Sequence, residues 1–217
     1  MPMDRSERAT RRVGRSDLEG SQDDDRMAMT QESTDIRSSF VGISSPLETL
    51  PRLSLRPFEP WHAASVARWI RSDEELHWLA PGTPAPLTAD KVLAWRKPAG
   101  RSYVLLAEGS TAPIGYGELN VMRRDRRQVW LGHVVLGPSF RGRGLGLCFV
   151  RALLAESYNT IRATRAVLVV FPSNDAAIHC YRRAGFELVG EEHHRFRSNG
   201  LRERMLRLEA DLADGAT

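Results

Sequence analysis

The sequence has few of the residues that mark secreted, membrane-spanning or metal-binding proteins. Its two cysteines, Cys148 and Cys180, form neither a CxxC pair nor a spaced Cys/His set, so neither a disulfide scaffold nor a zinc site is indicated. No apolar run approaches the roughly 18 residues that cross a bilayer, and residues 1–39 hold no signal-peptide core. We therefore expect a cytoplasmic protein that has no membrane partner and binds no metal.

Lysine is almost absent. Lys91 and Lys97 are the only lysines, so the net charge of +4 comes almost wholly from arginine. The basic residues are spread along the chain, and the densest cluster, Arg123–Arg127, is typical of a hairpin tip. No basic stripe interleaved with aromatic residues appears, so no nucleic-acid partner is expected. The content of 41% hydrophobic and 27% charged residues is ordinary for one globular domain.

The chain divides by composition into a tail and a domain. Residues 1–49 are poor in aliphatic side chains and include Asp23–Asp25, so ordering them would cost entropy without compensating burial. They are predicted to be a disordered N-terminal tail. From Leu50 the pattern changes to strands and amphipathic helices, which predicts one domain over residues 50–212 and a short C-terminal tail at 213–217.

Apolar periodicity predicts the order of elements within this domain. A first strand at Leu53–Phe58 is followed by one helix beginning near Pro60 and a second capped near Thr88, with a Pro/Gly-rich loop at Pro81–Pro86 between them. The elements predicted after these are an antiparallel meander of three strands (103–107, 114–121 and 129–136), a helix (145–158), an unbroken apolar strand (166–171), a helix (175–184) and two last strands.

The most informative stretch runs from a strand through a glycine-rich turn directly into a helix, at Val134–Gly146. Glycines let the backbone direct its N–H groups to one point, and the helix N-terminus adds partial positive charge, so the turn is suited to a pyrophosphate. Arg141 and Arg143 flank the turn and could add charge-assisted bonds to phosphate. The glycines are spaced G-x-G-x-G rather than G-x-G-x-x-G, which argues against a Rossmann site, and the Walker A pattern is missing.

Two motifs together resemble the GNAT acetyltransferase family. The turn Arg141-Gly142-Arg143-Gly144-Leu145-Gly146 matches the family pattern Arg/Gln-x-x-Gly-x-Gly/Ala. About 30 residues later, a strand is followed by Asn174, a helix with Tyr181, and Gly185-Phe186, as in the family's next segment. The resemblance implies an α/β GNAT fold, with a mixed central sheet of six to seven strands, splayed central strands and about four flanking helices.

The resemblance also implies a cofactor and site residues. Acetyl-coenzyme A would bind through the main chain of Val134, Val135 and Leu136, through the turn from Arg141 to Gly146 (Arg141, Gly142, Arg143, Gly144, Leu145, Gly146), and through Asn174. Tyr181 would be the general acid that protonates the departing thiolate. Each of these last two residues also has a plain structural interpretation, Asn174 as a helix N-cap and Tyr181 as a core aromatic. Their occurrence together at this spacing favours the functional one.

The general base is the point at which the sequence departs from the family pattern. Many members carry a glutamate or histidine on the strand before the glycine turn, but near that position this sequence has Trp130, and no carboxylate lies between Gln128 and Leu136. We predict Glu118, on the preceding strand, as the base. His133 is the rival, but strand alternation places it on the opposite face from Trp130 and Gly132, where a helix is expected to pack.

The resemblance is weakest over the residues that would choose the acceptor. Aromatic side chains beside carboxylates suit an organic cation, although the same side chains are also what amphipathic helices bury. The candidates are Trp61, Trp69, Glu74, Glu75, His77, Trp78, Trp95 and residues 193–199. The prediction is acetyl transfer to the primary amine of a small molecule. Protein N-terminal or lysine acetylation, a catalytically silent coenzyme A-binding regulatory domain, and a homodimer stay open.

Overall fold

The structure, a computed structural model, describes residues 34–35, 52–196 and 200–212 of the chain. The strands are β1 (Thr34–Asp35), β2 (Leu53–Pro57), β3 (Gly100–Ala107), β4 (Pro113–Val121), β5 (Gln128–Leu136), β6 (Arg165–Val170), β7 (Glu187–Arg195) and β8 (Arg202–Asp211). The helices are α1 (Ala63–Arg68), α2 (Asp73–Leu79), α3 (Ala89–Ala94), α4 (Leu145–Asn159) and α5 (Asp175–Arg183). Among these described helices, none is both long and apolar enough to span a membrane.

The strands form one mixed sheet in the order β1-β2-β3-β4-β5-β6-β8-β7. Neighbouring strands are antiparallel except β5 and β6, which run parallel because α4 crosses over between them. The predicted α/β fold, the meander β3–β5 and the mixed sheet are therefore confirmed. Seven strands have five or more residues, and β1 adds a two-residue edge.

Side chains of β4 alternate between two hydrophobic layers, which explains why this strand is buried along almost its whole length. A Cβ on Gly117 would lie 2.9 Å from Leu153 of α4, so the odd-numbered positions face α4. Tyr116 packs instead with the second cluster, which includes Val66 of α1 and Val92 of α3. Glu118, two residues after Tyr116 on the same strand, therefore also faces α1–α3.

Two elements depart from the sequence expectation. The described residues contain five α-helices rather than about four, because Asp73–Leu79 forms a separate helix, α2. Ser72 caps it by accepting a hydrogen bond from the Glu75 N–H at 3.1 Å. Thr34–Asp35, inside the predicted tail, pairs with Ser54 and Leu55 of β2, since an edge strand offers main-chain groups to any extended segment. The rest of residues 1–49, and residues 213–217, lie outside the described residues.

Candidate active site

The two central parallel strands separate after a short paired segment. β5 and β6 pair only from Gln128↔Arg165 to Trp130↔Val167. Beyond that point β5 continues with β4 and β6 continues with β8, so the facing edges have no strand partner. The sequence expectation of splayed central strands is confirmed. This gap is open to an extended ligand that can pair with a strand edge.

The glycine-rich turn between β5 and α4 presents a row of free main-chain N–H groups. Gly142 and Gly144 have φ of 73° and 77°, a left-handed conformation that other residues adopt only at a cost. Gly142 to Gly146 donate no main-chain hydrogen bond to any described residue. A side chain at Gly146 would lie 3.3 Å from Cys180 Sγ, so this glycine also lets α4 approach α5. The turn has the geometry of an anion site.

Arg141 does not direct its side chain to this turn. Its guanidinium donates to the carbonyl of Leu136 at 3.0 Å, to Glu75 Oε1 at 2.6 Å and to the carbonyl of Trp69 at 3.2 Å. Its main-chain N–H donates to Pro138. Arg141 therefore joins the start of the turn to α1 and α2, and the expected phosphate contact from this side chain is not the arrangement seen. Arg143 is exposed and stays the candidate for it.

The last residues of β5 differ in where their main-chain groups point. Gly137 donates its N–H to Ile114, so by antiparallel alternation Val135, opposite Tyr116, directs its groups to β4. Val134 and Leu136 then direct theirs to the gap, as expected for pairing with a ligand. The Leu136 carbonyl is already occupied by Arg141. Val135, which the sequence analysis included, contributes side-chain packing against the α1–α3 cluster instead.

Asn174 and Tyr181 both lie on α5 or its cap. Asn174 Oδ1 accepts the N–H of Ala177 at 3.2 Å, so the N-cap interpretation holds for that oxygen. The Tyr181 ring packs edge-on against Phe186, with 5.8 Å between centroids, and its hydroxyl has no hydrogen bond to a described residue. Burial and the neighbouring Cys180 thiol raise the pKa of Tyr181, so the phenol is protonated at neutral pH. Among the described residues, this proton donor has no hydrogen-bond acceptor.

Glu118 lies at the centre of a buried polar cluster on the α1–α3 face. The Tyr116 hydroxyl donates to Oε1 at 2.6 Å, and Asn120 Nδ2 donates to Oε2 at 3.3 Å. Burial alone would raise the pKa of Glu118. Contacts from His133, Tyr116 and Asn120 lower it by more than burial raises it, so the net pKa lies below the ordinary value for glutamate. The carboxylate is therefore ionised at neutral pH although it is only 2% exposed.

His133 belongs to the same cluster, contrary to the alternation argument. Between Tyr116↔Val135 and Glu118↔Gly132, β5 has one residue more than β4, which is a β-bulge, and His133 has φ of 48°. The ring thereby turns onto the α1–α3 face. Nδ1 lies 3.1 Å from Glu118 Oε1, and the ring stacks on Trp95 at 4.3 Å. The sequence carried one sign of this, since Gly132, a glycine inside a strand, is typical of a bulge.

Among the described residues, two buried side-chain polar atoms lack a hydrogen bond, and both lie in this cluster. They are Asn120 Oδ1 and His133 Nδ1, the latter being close to Glu118 without the alignment of a hydrogen bond. Unsatisfied buried polar atoms are uncommon and concentrate at functional sites. No group of three or more His, Cys, Asp or Glu side chains in the described ranges is placed to hold a metal ion.

The residues predicted to choose the acceptor include both buried and exposed side chains. Trp69 and Trp95 are buried in the α1–α3 cluster, Glu75 is held by Arg141, and Trp61 is 72% exposed. His77 lies 2.9 Å from Glu203 of β8, with its ring 4.6 Å from that of Phe171. Trp78, also on α2, donates to Ser173 at 3.1 Å. The helix that the sequence analysis missed therefore connects to the end of β6, while residues 197–199 lie outside the described ranges.

Comparison with known proteins agrees with this geometry. The model of the acetyltransferase (GNAT) domain matches residues 52–187, more than half of the chain. The chain belongs to the GNAT acetyltransferase family. The spermidine N(1)-acetyltransferase of Escherichia coli K12 is 27% identical over 108 residues, which span 50% of this chain and 56% of that protein. The GNAT chain thus matches only about half the length of this relative.

Two further relatives cover more of the GNAT domain. The aminoglycoside N(6')-acetyltransferase type 1 of Klebsiella pneumoniae is 27% identical over 155 residues, 64% of this chain and 75% of that protein. The crystal structure of spermidine N-acetyltransferase from Vibrio cholerae in complex with CoA and spermine superimposes with a TM-score of 0.63 at 18% identity, covering 76% of this chain and 98% of that one. At this identity the superposition establishes the shared fold.

Proposed function

We propose that this protein transfers the acetyl group of acetyl-coenzyme A to a primary amine of a small molecule. The observation that carries the proposal is the gap between β5 and β6, which opens directly onto the glycine turn with its free N–H groups. Acetyl-coenzyme A has an extended amide-containing arm and a pyrophosphate, and the site offers one partner for each. It supplies the activated acetyl thioester.

The residues of the site fit this ligand. Val134 and Leu136 direct main-chain groups to the arm, Gly142–Gly146 direct N–H groups to the pyrophosphate, and Arg143 adds positive charge. Asn174 retains its amide Nδ2 for the arm while its oxygen caps α5. Tyr181 is proposed to protonate the departing sulfur, since its phenol is protonated and has no hydrogen bond to a described residue.

The acceptor is proposed to be a small organic polyamine or aminosugar rather than a protein. Relatives at similar identity act on spermidine and on aminoglycosides, and the front of the site combines aromatic rings with carboxylates. His77, Phe171 and Phe196 lie within 6.5 Å of one another by ring centroid, next to Glu203. In this cluster Phe171 is buried, whereas His77, Phe196 and Glu203 are partly exposed and suit a cationic amine.

Two measurements test the proposal. Calorimetry should show saturable binding of acetyl-coenzyme A to the full chain, and a thiol-release assay should show turnover with at least one member of a panel of polyamines, aminoglycosides, amino acids and peptides. Turnover confined to peptides would replace the small-molecule acceptor by a protein. Binding without turnover on any amine would favour a silent regulatory domain, and no binding would refute the proposal.

A further inference from the structure

We infer that His133 is the catalytic base of this acetyltransferase and that Glu118 is a positioning residue behind it. The inference rests on the proposed function, because it concerns the proton that the acceptor amine loses before attack. It revises the expectation that Glu118 itself takes this proton. Four observations carry it: the closure of Glu118, the orientation of the His133 ring, the place of the bulge, and the unsatisfied atoms of the cluster.

Glu118 is closed to a substrate. Its side chain is 2% exposed. Oε1 faces both the Tyr116 hydroxyl at 2.6 Å and His133 Nδ1 at 3.1 Å, while Oε2 accepts from Asn120 at 3.3 Å. An amine cannot reach either oxygen without displacing one of these neighbours. A base must come within hydrogen-bond reach of the proton that it takes, directly or through one water.

The two ring nitrogens of His133 have different surroundings. Its Nδ1 is buried toward Glu118, yet the side chain as a whole is 23% exposed, and Nε2 has no hydrogen bond to a described residue. The ring lies parallel to Trp95, with an interplanar angle of 11°, and Trp95 is itself fixed by a 2.8 Å hydrogen bond to Thr83. Because the carboxylate favours a proton on Nδ1, the neutral ring keeps Nε2 as the acceptor.

The bulge brings this ring to the right part of the sheet. Pairing between β5 and β6 ends at Trp130, and the bulge begins two residues later, where the β5 edge faces the gap. Without the extra residue, His133 would point into the core beneath α4, as Leu131 does. Bulges commonly re-aim a side chain next to an active site.

Two side chains, His133 and Tyr181, move protons in the proposed acetyl transfer. An ammonium acceptor gives one proton to His133 Nε2, and its freed lone pair forms the N–C bond to the acetyl carbonyl carbon. The C–S bond then breaks, and the thiolate takes a proton from the Tyr181 hydroxyl. The acetylated nitrogen loses its second proton to the Tyr181 phenolate through water, which restores the phenol, and the imidazolium releases its proton to solvent to restore His133. The Glu118 carboxylate stabilises the imidazolium that forms. Its alignment with Nδ1 is imperfect here, and catalytic hydrogen bonds of this kind often tighten only when substrate is present.

Few charged groups of the described residues lie around the His133 ring. β4 contributes Glu118 and the Tyr116 phenol, and α3 is followed by Arg96, which is close enough to Tyr116 to affect the pKa of that phenol. α2 also packs near β5, but its Glu75 is paired with Arg141 and its His77 with Glu203. Among the described residues, Glu118 is the one carboxylate within 4.0 Å of the His133 ring nitrogens.

The test compares His133→Gln, Glu118→Gln and the control His179→Gln, which changes an exposed histidine of α5. The pH dependence of kcat/KM is measured for each, with the best acceptor of the panel. His133→Gln should lower kcat/KM by about 10²- to 10⁴-fold and abolish the acidic limb of the profile. Glu118→Gln should lower it by about tenfold to a hundredfold, the size of one lost charge-assisted contact.

A second readout needs no substrate. The ring signals of isotope-labelled histidine are followed by NMR across pH in the wild type and in Glu118→Gln, with His133→Gln identifying the resonance. At alkaline pH the ring nitrogen shifts should show the proton of the neutral residue 133 on Nδ1 in the wild type and on either nitrogen in Glu118→Gln, and a tautomer that does not change would overturn the pairing. The inference would also be wrong if His133→Gln kept the acidic limb, or if Glu118→Gln removed that limb while His133→Gln retained it. Absence of wild-type turnover would instead count against the proposed function.

Discussion

At the scale of single residues, the ring of Tyr181 packs against Phe186, and its hydroxyl has no hydrogen bond to a described residue. Tyr181→Phe removes a hydroxyl that has no hydrogen bond to a described residue, so melting temperature and acetyl-coenzyme A affinity should barely change. Turnover in the thiol-release assay should fall toward the low end of the roughly 10²- to 10⁴-fold range of general acid catalysis, because a thiolate is already a fair leaving group. Turnover equal to the wild type would leave Tyr181 a packing residue only.

Two substitutions of Gly144, to Asp and to Asn, distinguish the effect of a negative charge on cofactor binding from the effect of backbone strain. Its φ of 77° disfavours most side chains, but Asn and Asp tolerate that conformation better and have nearly the same shape. Gly144→Asp should weaken acetyl-coenzyme A binding by about tenfold to a hundredfold relative to Gly144→Asn, since the carboxylate faces the phosphate site. Calorimetry on both folded variants makes the comparison. Equal affinities would move the phosphate site away from this turn.

The face of His133 was predicted wrongly, whereas the tight turn at Gly142 and Gly144 was predicted correctly. The glycines at 142 and 144 were informative because their left-handed conformation is a local need that the sequence displays directly. The face of His133 depends on a bulge, and one extra residue reverses strand alternation for everything beyond it. Gly132 was the available sign. The use of Arg141 as a bridge to Glu75 depends on tertiary contact, which sequence spacing does not reveal.

At the scale of elements, Asn174 caps the start of α5 and is also proposed to bind the arm of acetyl-coenzyme A. Asn174→Ala removes the cap to Ala177, which should cost about 1 kcal/mol and lower the melting temperature by roughly 2–4 °C. Asn174→Asp keeps the capping oxygen but loses the amide donor. If the amide binds the arm of acetyl-coenzyme A, the Asp variant should melt like the wild type and bind more weakly. Unchanged affinity would reduce Asn174 to a cap.

The helices near the acceptor side were the least predictable elements. α4 and α5 follow from apolar periodicity and from the residues that end them, and both were predicted within two residues of their observed bounds. α2 has only seven residues, too few for periodicity to be visible, although Ser72 and Glu75 have the S-x-x-E spacing of a helix start. Short helices are stabilised by packing more than by propensity, and packing is not readable from a local pattern.

At the scale of the whole molecule, the sheet depends little on its first strand. β1 has two residues at the edge, whereas the described core is built on β2–β8 and the helices. Deletion of residues 1–49 should therefore leave acetyl-coenzyme A affinity unchanged and lower the melting temperature by less than about 4 °C. Deletion of residues 1–32, which keeps β1, is the matched control. A large loss of affinity in the longer deletion alone would assign β1 a structural role.

The bridge made by Arg141 has a thermodynamic consequence. One guanidinium contacts the end of β5, next to the proposed donor site, and also Glu75 and Trp69, on the proposed acceptor side. If donor binding tightens this bridge, it must raise amine affinity by some factor, and linkage requires the amine to raise donor affinity by the same factor. We expect this synergy to shrink in Glu75→Gln, as measured by titrating each ligand with and without the other, using coenzyme A to prevent turnover. With one ligand saturating its site, the other ligand would then half-occupy its own site at a lower concentration.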